Sequence, residues 1–282
     1  MSVQFVLEAL VVLGAIVMGT RAGGVGVGLW GGLGTFVLVF VFREPPGEPP
    51  AAALAIILAV VTSAAMMQAV FLVDWYNATK EELFEKAYFP KIPATVGSDG
   101  APVQILTSGP DSQWAAIRQA YAAMIVSAQR RVFLQSPYFI PDTTIAEALR
   151  SAALAGVDVR IMLSERPSGD PVPAWATNTF AADILESGVR VFLYKKGYLH
   201  AKTISVDSEI CSIGSANIDI RSFSINYEIN AVFYNSRLAS ELERDFERDL
   251  AHCTEFHAED YESRGRVLRF RDSVARLLSP LL

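Results

Sequence analysis

Long uncharged apolar runs at the start of the chain constrain its fold most strongly. No charged residue occurs within Ala22–Phe42 or Ala51–Val73, so each run is long enough to cross a bilayer as a helix. A third run, 3–20, contains only Glu8 and has two interpretations, a further span or an uncleaved signal-like segment. The sequence therefore predicts a transmembrane segment over residues 1–73, with spans near 3–20, 22–42 and 51–73.

The composition changes at Asp74, after which charged residues recur every few positions. Apolar runs with the spacing of strands alternate there with runs that have the spacing of helices, a pattern typical of an α/β domain with a mixed sheet. We predict this domain over residues 74–258, followed by a tail at 259–282. The predicted strands are 103–107, 132–136, 157–163, 189–193, 201–206, 210–213 and 225–234, and the predicted helices are 113–128, 142–155, 175–186 and 237–251.

Charge and cysteine content exclude several functions. The formal net charge of −6 gives no bulk attraction to a nucleic acid, so we predict no nucleic-acid partner. Cys211 and Cys253 form neither a disulfide framework nor a metal-binding spacing. Cys211 lies in an apolar run, which predicts a buried and unreactive thiol and fits a domain on the reducing, cytoplasmic side of a membrane. We predict no metal and no cofactor.

One spaced set of polar residues indicates chemistry. The chain reads His-x-Lys-x4-Asp from His200 through Lys202 to Asp207, and Gly-Ser-x-Asn follows at Gly214–Asn217. Alternation along a strand places His200 and Lys202 on one side. Phosphoryl chemistry needs a group that titrates near neutrality, which histidine supplies, and a fixed positive charge for the phosphate oxygens, which lysine supplies. The glycine turn lets the backbone approach an anion, and Asn217 adds a hydrogen-bond donor.

Each of these residues also has a structural interpretation. His200 and Lys202 could be exposed strand residues, and the Gly-Ser segment could be only a turn. Four polar groups in one spacing favour a phosphodiester site. Asp207 stands at a junction between a strand and a turn, where it could hold the loop rather than contact a phosphate.

The motif resembles the signature of the phospholipase D superfamily, and residues 68–282 look like the second half of a bacterial cardiolipin synthase. The resemblance implies a phospholipase-D-like mixed-sheet sandwich in which His200, Lys202 and Asp207 are catalytic and Lys202, Ser215 and Asn217 bind the substrate phosphate. Glu228 matches a supporting polar position, or it is a solvent-facing sheet residue. Further similar segments are Gln68–Tyr76, Ser136–Pro141, Gly156–Ile161, Phe223–Ala231 and Ser279–Leu282.

The resemblance also implies a reaction and a location. Such enzymes transfer a phosphatidyl group from one phosphatidylglycerol to the hydroxyl of another and release glycerol. We therefore expect phosphatidylglycerol and anionic membrane lipids as partners, and a multi-pass protein of the bacterial inner membrane with a cytoplasmic catalytic domain.

The first 67 residues resemble a different family. Their glycine-rich apolar pattern is similar to the start of an anaerobic C4-dicarboxylate transporter. Together the two resemblances suggest that the beginning of one gene is joined to the second half of another near residues 65–69. Two or three helices are too few for a transporter, so transport itself is not expected.

The tail combines basic and apolar residues. This pattern suits a helix lying on an anionic lipid surface, and it equally suits a helix packed on the domain with its arginines in water. The arginines are Arg264, Arg266, Arg269, Arg271 and Arg276, interspersed with Val267, Leu268, Phe270, Val274, Leu277 and Leu278.

The chain carries one copy of a motif that the family mechanism uses twice. One histidine attacks phosphorus while a second protonates the leaving alkoxide, and neither His252 nor His257 is followed two residues later by lysine. Three hypotheses follow: a phosphatidyltransferase half-site completed by a second chain in a homodimer, a non-catalytic membrane protein that binds anionic head groups, or a phospholipase D or other phosphodiesterase.

Overall fold

The computed structural model describes residues 67–83, 101–165 and 171–279, together with four helical positions at 11, 14, 15 and 18. The chain divides into two compact units, Met1–Ala55 and Ile56–Leu282. Within the described residues no helix is both long enough and apolar enough to cross a membrane. The predicted spans at 3–20, 22–42 and 51–73 lie almost entirely outside those residues. The described helix over 67–79, α1, includes the predicted boundary at 73/74.

The second unit contains ten described strands and, after α1, seven described helices. The strands are β1 (Val103–Ser108), β2 (Arg131–Ser136), β3 (Phe139–Ile140), β4 (Asp158–Ser164), β5 (Arg190–Tyr194), β6 (Thr203–Val206), β7 (Ile210–Gly214), β8 (Ile218–Asp219), β9 (Glu228–Phe233) and β10 (Cys253–Phe256). The helices are α2 (Ala116–Ser127), α3 (Thr143–Leu154), α4 (Val172–Leu185), α5 (Ile220–Ser224), α6 (Ser236–Asp249), α7 (Ala258–Glu262) and α8 (Arg266–Leu277).

Eight strands form one mixed sheet in the order β1-β9-β7-β6-β2-β4-β5-β10. The neighbours β2, β4 and β5 run parallel, and the other pairs in this sheet are antiparallel. The short strands β3 and β8 form a separate parallel pair. The predicted α/β class with a mixed sheet is confirmed.

Both faces of the central strands are buried. On one face, Val132, Leu134 and Ile161 pack in the main core with residues of α2 and α3. On the other face, Phe133 stacks on Phe246 of α6 with 4.8 Å between ring centroids. Parallel strands that are covered on both sides read as continuous apolar runs, which is why β2 and β4 were predictable from sequence.

The predicted elements differ from the structure around the motif and at the end of the chain. The predicted strand 225–234 corresponds to β9, which is shorter in the structure because the short helix α5 and the turn after it occupy 220–226. Asp219 caps α5 by accepting a hydrogen bond from the Ser222 amide at 2.7 Å. The edge strand β10 was not predicted from sequence.

The turn between β6 and β7 is built on Asp207. Asp207 and Ser208 both have positive φ, 55° and 57°, as a tight hairpin turn requires. The Asp207 carboxylate accepts hydrogen bonds from three backbone amides ahead of β2: Gln129 at 2.7 Å and Arg130 and Arg131 at 2.8 Å. Burial raises the pKa of Asp207, but these amides and the nearby Arg130 charge outweigh that effect, so its pKa is lowered overall.

We expect Asp207→Asn to lower the free energy of unfolding by about 2–3 kcal/mol, because an amide group replaces charge-assisted acceptors of three N–H groups. Since the folded pKa of Asp207 is lowered, its contribution is present above the unfolded pKa of about 3.9 and is lost as pH falls through the folded value. Urea unfolding of the detergent-solubilised chain at several pH values measures both effects. Glu209→Gln, in the same turn but exposed, is the control, and an equal loss in the two variants would contradict this role.

Candidate active site

The motif lies where several strand ends meet. Lys202 precedes β6, Gly214 ends the antiparallel neighbour β7, and Glu228 begins β9 opposite Ser108 at the end of β1. Antiparallel pairing brings the start of one strand beside the end of its neighbour, so these residues share one edge of the sheet. The parallel strands β2 and β4 also end there, and the carboxyl ends of parallel strands are a common position for ligand sites. Ser164 at the end of β4 accepts a hydrogen bond from the Leu199 amide at 3.2 Å.

His200 and Lys202 lie next to each other before β6 begins. The predicted strand started at residue 201, whereas β6 begins at Thr203, so both side chains stand on the segment that enters the sheet. His200 is exposed, and the Lys202 Nζ atom donates to the His200 carbonyl oxygen at 3.1 Å. Partial burial and the Lys202 charge lower the pKa of His200. The imidazole is therefore mostly neutral at pH 7 and able to attack an electrophile.

Tyr198 contacts the His200 ring. The two rings are stacked, with centroids 5.2 Å apart and planes at 26°. Sequence analysis did not single out Tyr198. Its position two residues before the histidine was the available signal, since residues i and i+2 of an extended segment share a face. Tyr198 limits the orientations open to the imidazole.

Lys202 is only 9% exposed and lies in an acidic environment. Burial lowers the pKa of its ammonium group, while the charges of Glu228 and Asp219 raise it. No carboxylate of the described residues lies within salt-bridge distance of its Nζ atom. The ammonium thus stays available to a phosphate, and Asp219 is a neighbour that sequence analysis missed.

The Gly214–Asn217 turn is held against β9. The Ser215 hydroxyl accepts from the Ile229 amide at 2.9 Å and contacts its carbonyl oxygen at 3.3 Å. The Ser215 hydroxyl is therefore engaged in holding the turn. The Asn217 Oδ1 atom is buried and has no hydrogen-bond partner among the described residues. This oxygen is a hydrogen-bond acceptor, so the partner it lacks is a donor, and a buried acceptor without one is costly.

Asn230 connects this turn to the core. Its Oδ1 atom accepts from the Ala216 amide at 3.3 Å, and its Nδ2 atom donates to the Tyr121 hydroxyl at 2.7 Å and to Ser212 Oγ at 3.1 Å. Burial raises the pKa of Tyr121 to about 12, so its hydroxyl stays protonated at neutral pH. The network joins α2, β7 and β9, and sequence analysis did not find it because its members are far apart in the chain.

The structure brings His200, Lys202 and Glu228 to one region but leaves Asp207 elsewhere. Asp207 follows β6 while Lys202 precedes it, and five extended residues span about 16 Å. Its carboxylate is occupied by the amides ahead of β2. This placement favours the loop-holding role over direct contact with substrate. His252, near Lys196 and Tyr194, and His257, at the start of α7, lie on other elements.

The mixed sheet and the site at its edge define a phospholipase-D-like α/β domain. A solved structure of phosphatidylserine synthase from Haemophilus influenzae shares this fold, with a TM-score of 0.53 and 16% identity over 68% of this chain and 49% of that one. At that identity the likeness shows the fold alone.

Within this class the chain is similar to bacterial cardiolipin synthases, as its sequence predicted. Residues 121–250 match the family model described as cardiolipin synthase, PLD-like domain. A cardiolipin synthase of Oceanobacillus iheyensis is 40% identical over 217 residues, 77% of this chain and 44% of the relative. The major cardiolipin synthase of Bacillus subtilis is 42% identical over 222 residues, 78% of this chain and 45% of the relative. The chain thus spans less than half the length of these relatives.

The resemblance of the first residues to a transporter is also confirmed. Residues 4–91 match the family model described as anaerobic C4-dicarboxylate membrane transporter. This match runs past the predicted junction at 65–69 and includes α1. The position of the junction stays a prediction.

We expect Gly214→Ala to disrupt the site, because a Cβ atom at residue 214 would overlap the Asn230 side chain and the Ile229 carbonyl oxygen. Backbone cannot move aside as a flexible side chain can, so the free energy of unfolding should fall by about 1–3 kcal/mol. Gly265→Ala is the matched control, since its added Cβ meets no atom within 4 Å. Urea unfolding of both variants measures the difference, and equal stability would show that β9 tolerates the added atom.

Proposed function

We propose that this chain carries one half of a phosphatidyltransferase site of the cardiolipin synthase type. In this reaction two molecules of phosphatidylglycerol give cardiolipin and glycerol. The observation that carries the proposal is the exposed His200 side chain next to the buried Lys202, whose Nζ atom donates to the His200 carbonyl oxygen. The Gly214–Asn217 turn adjoins them, because the Gly214 amide donates to the Lys202 carbonyl oxygen at 3.2 Å. Similarity to cardiolipin synthases supports the choice of substrate.

The chemistry follows from these groups. A ring nitrogen of His200 attacks phosphorus, a P–N bond forms, and the P–O bond to glycerol breaks. The leaving alkoxide takes a proton, and glycerol departs. The hydroxyl of a second phosphatidylglycerol then loses a proton and attacks, so that the P–N bond breaks and cardiolipin forms. Lys202 stabilises the negative charge of the phosphate oxygens, and Asn217 donates a hydrogen bond from its amide.

The leaving alkoxide needs an acid that one motif does not provide. A primary alkoxide is a poor leaving group, and its protonation in the transition state accelerates such steps by about 10²–10⁴-fold. His252 contacts Lys196 and Tyr194, His257 lies at the start of α7, and among the described residues neither ring contacts His200. We therefore propose that a second copy of the chain supplies its own His200, so that two motifs form one site across a two-fold axis.

Attachment to a membrane belongs to the same proposal. The match of residues 4–91 to a membrane transporter model supports an N-terminal membrane segment that includes the predicted spans. We propose that this segment holds the domain at the bacterial inner membrane, with the site on the cytoplasmic side. There the substrate is present in the bilayer at high local concentration.

We expect His200→Gln to reduce glycerol release from phosphatidylglycerol by on the order of a thousandfold, because the variant lacks the nucleophile. His257→Gln should retain activity, since that ring lies at the start of α7. Assays of the full chain in mixed micelles measure both variants. Equal activity in His200→Gln and the unaltered chain would exclude a covalent route through this residue.

We expect a bell-shaped dependence of kcat/KM on pH. The limb that rises with pH should be centred below about 6.5, because partial burial and Lys202 lower the pKa of His200, which attacks as the neutral imidazole. The limb that falls at higher pH reports loss of the proton that glycerol receives. The apparent pKa values of the two limbs belong to the pair of histidines and not to either ring alone. A single rising limb would indicate a site that works without a second histidine acid.

We expect mixed dimers to reveal the shared site. If both copies must supply His200, random pairing of equal amounts of unaltered chain and His200→Gln chain should leave about a quarter of the activity rather than half. The chains are mixed in detergent under exchange conditions and assayed at fixed total protein. A linear dependence on the fraction of unaltered chain would contradict the two-chain site, and activity absent from the unaltered homodimer would favour a non-catalytic lipid-binding protein.

A further inference from the structure

The C-terminal helix α8 packs on the domain through one defined face. Asp272 and Ala275 are buried there, and Ala275 packs in a small cluster with Ile140 of β3 and Ala176 of α4. The Asp272 carboxylate pairs with Arg264 at 2.7 Å and with Arg271 at 2.6 Å. These contacts fix the rotation of α8 about its axis, and with it the face that points outward.

The outward face of α8 is apolar. Val267 and Leu277 are each 80% exposed and Phe270 is 70% exposed, and Val274 is exposed between them. The spacing of three, four and three residues puts all four side chains on one stripe of the helix. We call these four residues the α8 stripe. It comprises large apolar side chains in water, on a helix that is already anchored by its opposite face.

Positive charge lies beside the α8 stripe. Three of the five tail arginines, Arg264, Arg271 and Arg276, are paired with acidic residues. Arg266 and Arg269 are exposed and have no carboxylate within salt-bridge distance among the described residues. Within 263–282 the only acidic residue is Asp272, although the chain as a whole has a net charge of −6. The positive charge is thus concentrated where the apolar side chains are exposed.

A short series of contacts joins α8 to the candidate site. Ala275 packs with Ile140, which pairs with Asp219 in the β3–β8 ribbon. Asp219 in turn raises the pKa of Lys202 through its charge. The first two links are packing and strand pairing and the third is electrostatic, so α8 packs against the β3–β8 ribbon whose Asp219 acts on Lys202.

We propose that the α8 stripe inserts into the interface of an anionic phospholipid bilayer, with Arg266 and Arg269 at the level of the head groups. Both interpretations of the tail then apply, because one face of α8 packs on the domain and the other faces lipid. An apolar stripe flanked by arginines is the arrangement of helices that lie in the membrane plane. Binding of α8 to the bilayer does not depend on the proposed function. Only its purpose, to present the site to a lipid substrate, rests on the proposed function.

The test places a polarity-sensitive nitrobenzoxadiazole label on Cys substituted for Phe270, in a full chain with Cys211→Ala and Cys253→Ser. The chain is reconstituted in vesicles of phosphatidylcholine, with or without phosphatidylglycerol. We expect a blue shift and quenching by spin-labelled lipid only in the anionic vesicles. Val126→Cys on α2 is the matched control, since this apolar side chain is 70% exposed on another helix and should report water in both cases.

Charge reversal completes the test. In Arg266→Glu/Arg269→Glu, the lipid-protected fraction of the Phe270→Cys label should fall about fivefold or more, because each arginine near an anionic surface contributes to binding. The matched control Arg237→Glu, an exposed arginine on α6, should leave it unchanged. Activity in mixed micelles should persist in the reversed variant, so failure of docking and failure of the proposed function are distinguishable. A label in water in anionic vesicles, or protection that depends on protein concentration and not on lipid charge, would overturn the proposal.

Discussion

The site depends on one buried side chain, Asn230, and on the absence of another at Gly214. Asn230 fits against β7 only because residue 214 has no Cβ atom. From there it holds the Ala216 amide, the Tyr121 hydroxyl and the Ser212 hydroxyl at once. Every polar group of the asparagine is satisfied within the core, so the turn that carries Asn217 has a fixed position. If this turn binds phosphate as proposed, it gains from such rigidity, because its donors do not need to reorganise when the charge of the transition state develops.

The sequence predicted the class of fold, and it indicated the central residues of the candidate site, for identifiable physical reasons. The strands β2 and β4 are continuous apolar runs, and His200 with Lys202 is a local pattern within three residues. Asp219 and Asn230 were missed because their roles arise from pairing between distant strands. Asp207 shows the limit of a motif: its spacing is as regular as that of Lys202, yet its carboxylate holds the loop ahead of β2. A spacing indicates which residues act together but not which of them meets the substrate.

The proposed half-site and the helix α8 would both work best at a membrane surface. A domain with one nucleophile gains a second only by meeting another copy, and confinement to a membrane surface favours such meetings because it raises the effective concentration of the chains. A helix that rests on lipid would also orient both copies toward their substrate. Packing on the domain and contact with lipid use opposite faces of α8, so the two do not compete.

The proposed reaction requires that His200 form a covalent bond to the phosphatidyl group. The most direct measurement is mass spectrometry of peptides from the full chain after acid quenching during turnover with phosphatidylglycerol, at a pH where the P–N bond survives. We expect a phosphatidyl adduct on the peptide containing His200, present in the unaltered chain and absent in His200→Gln. Turnover without any adduct on this peptide, or an adduct located on another residue, would contradict it.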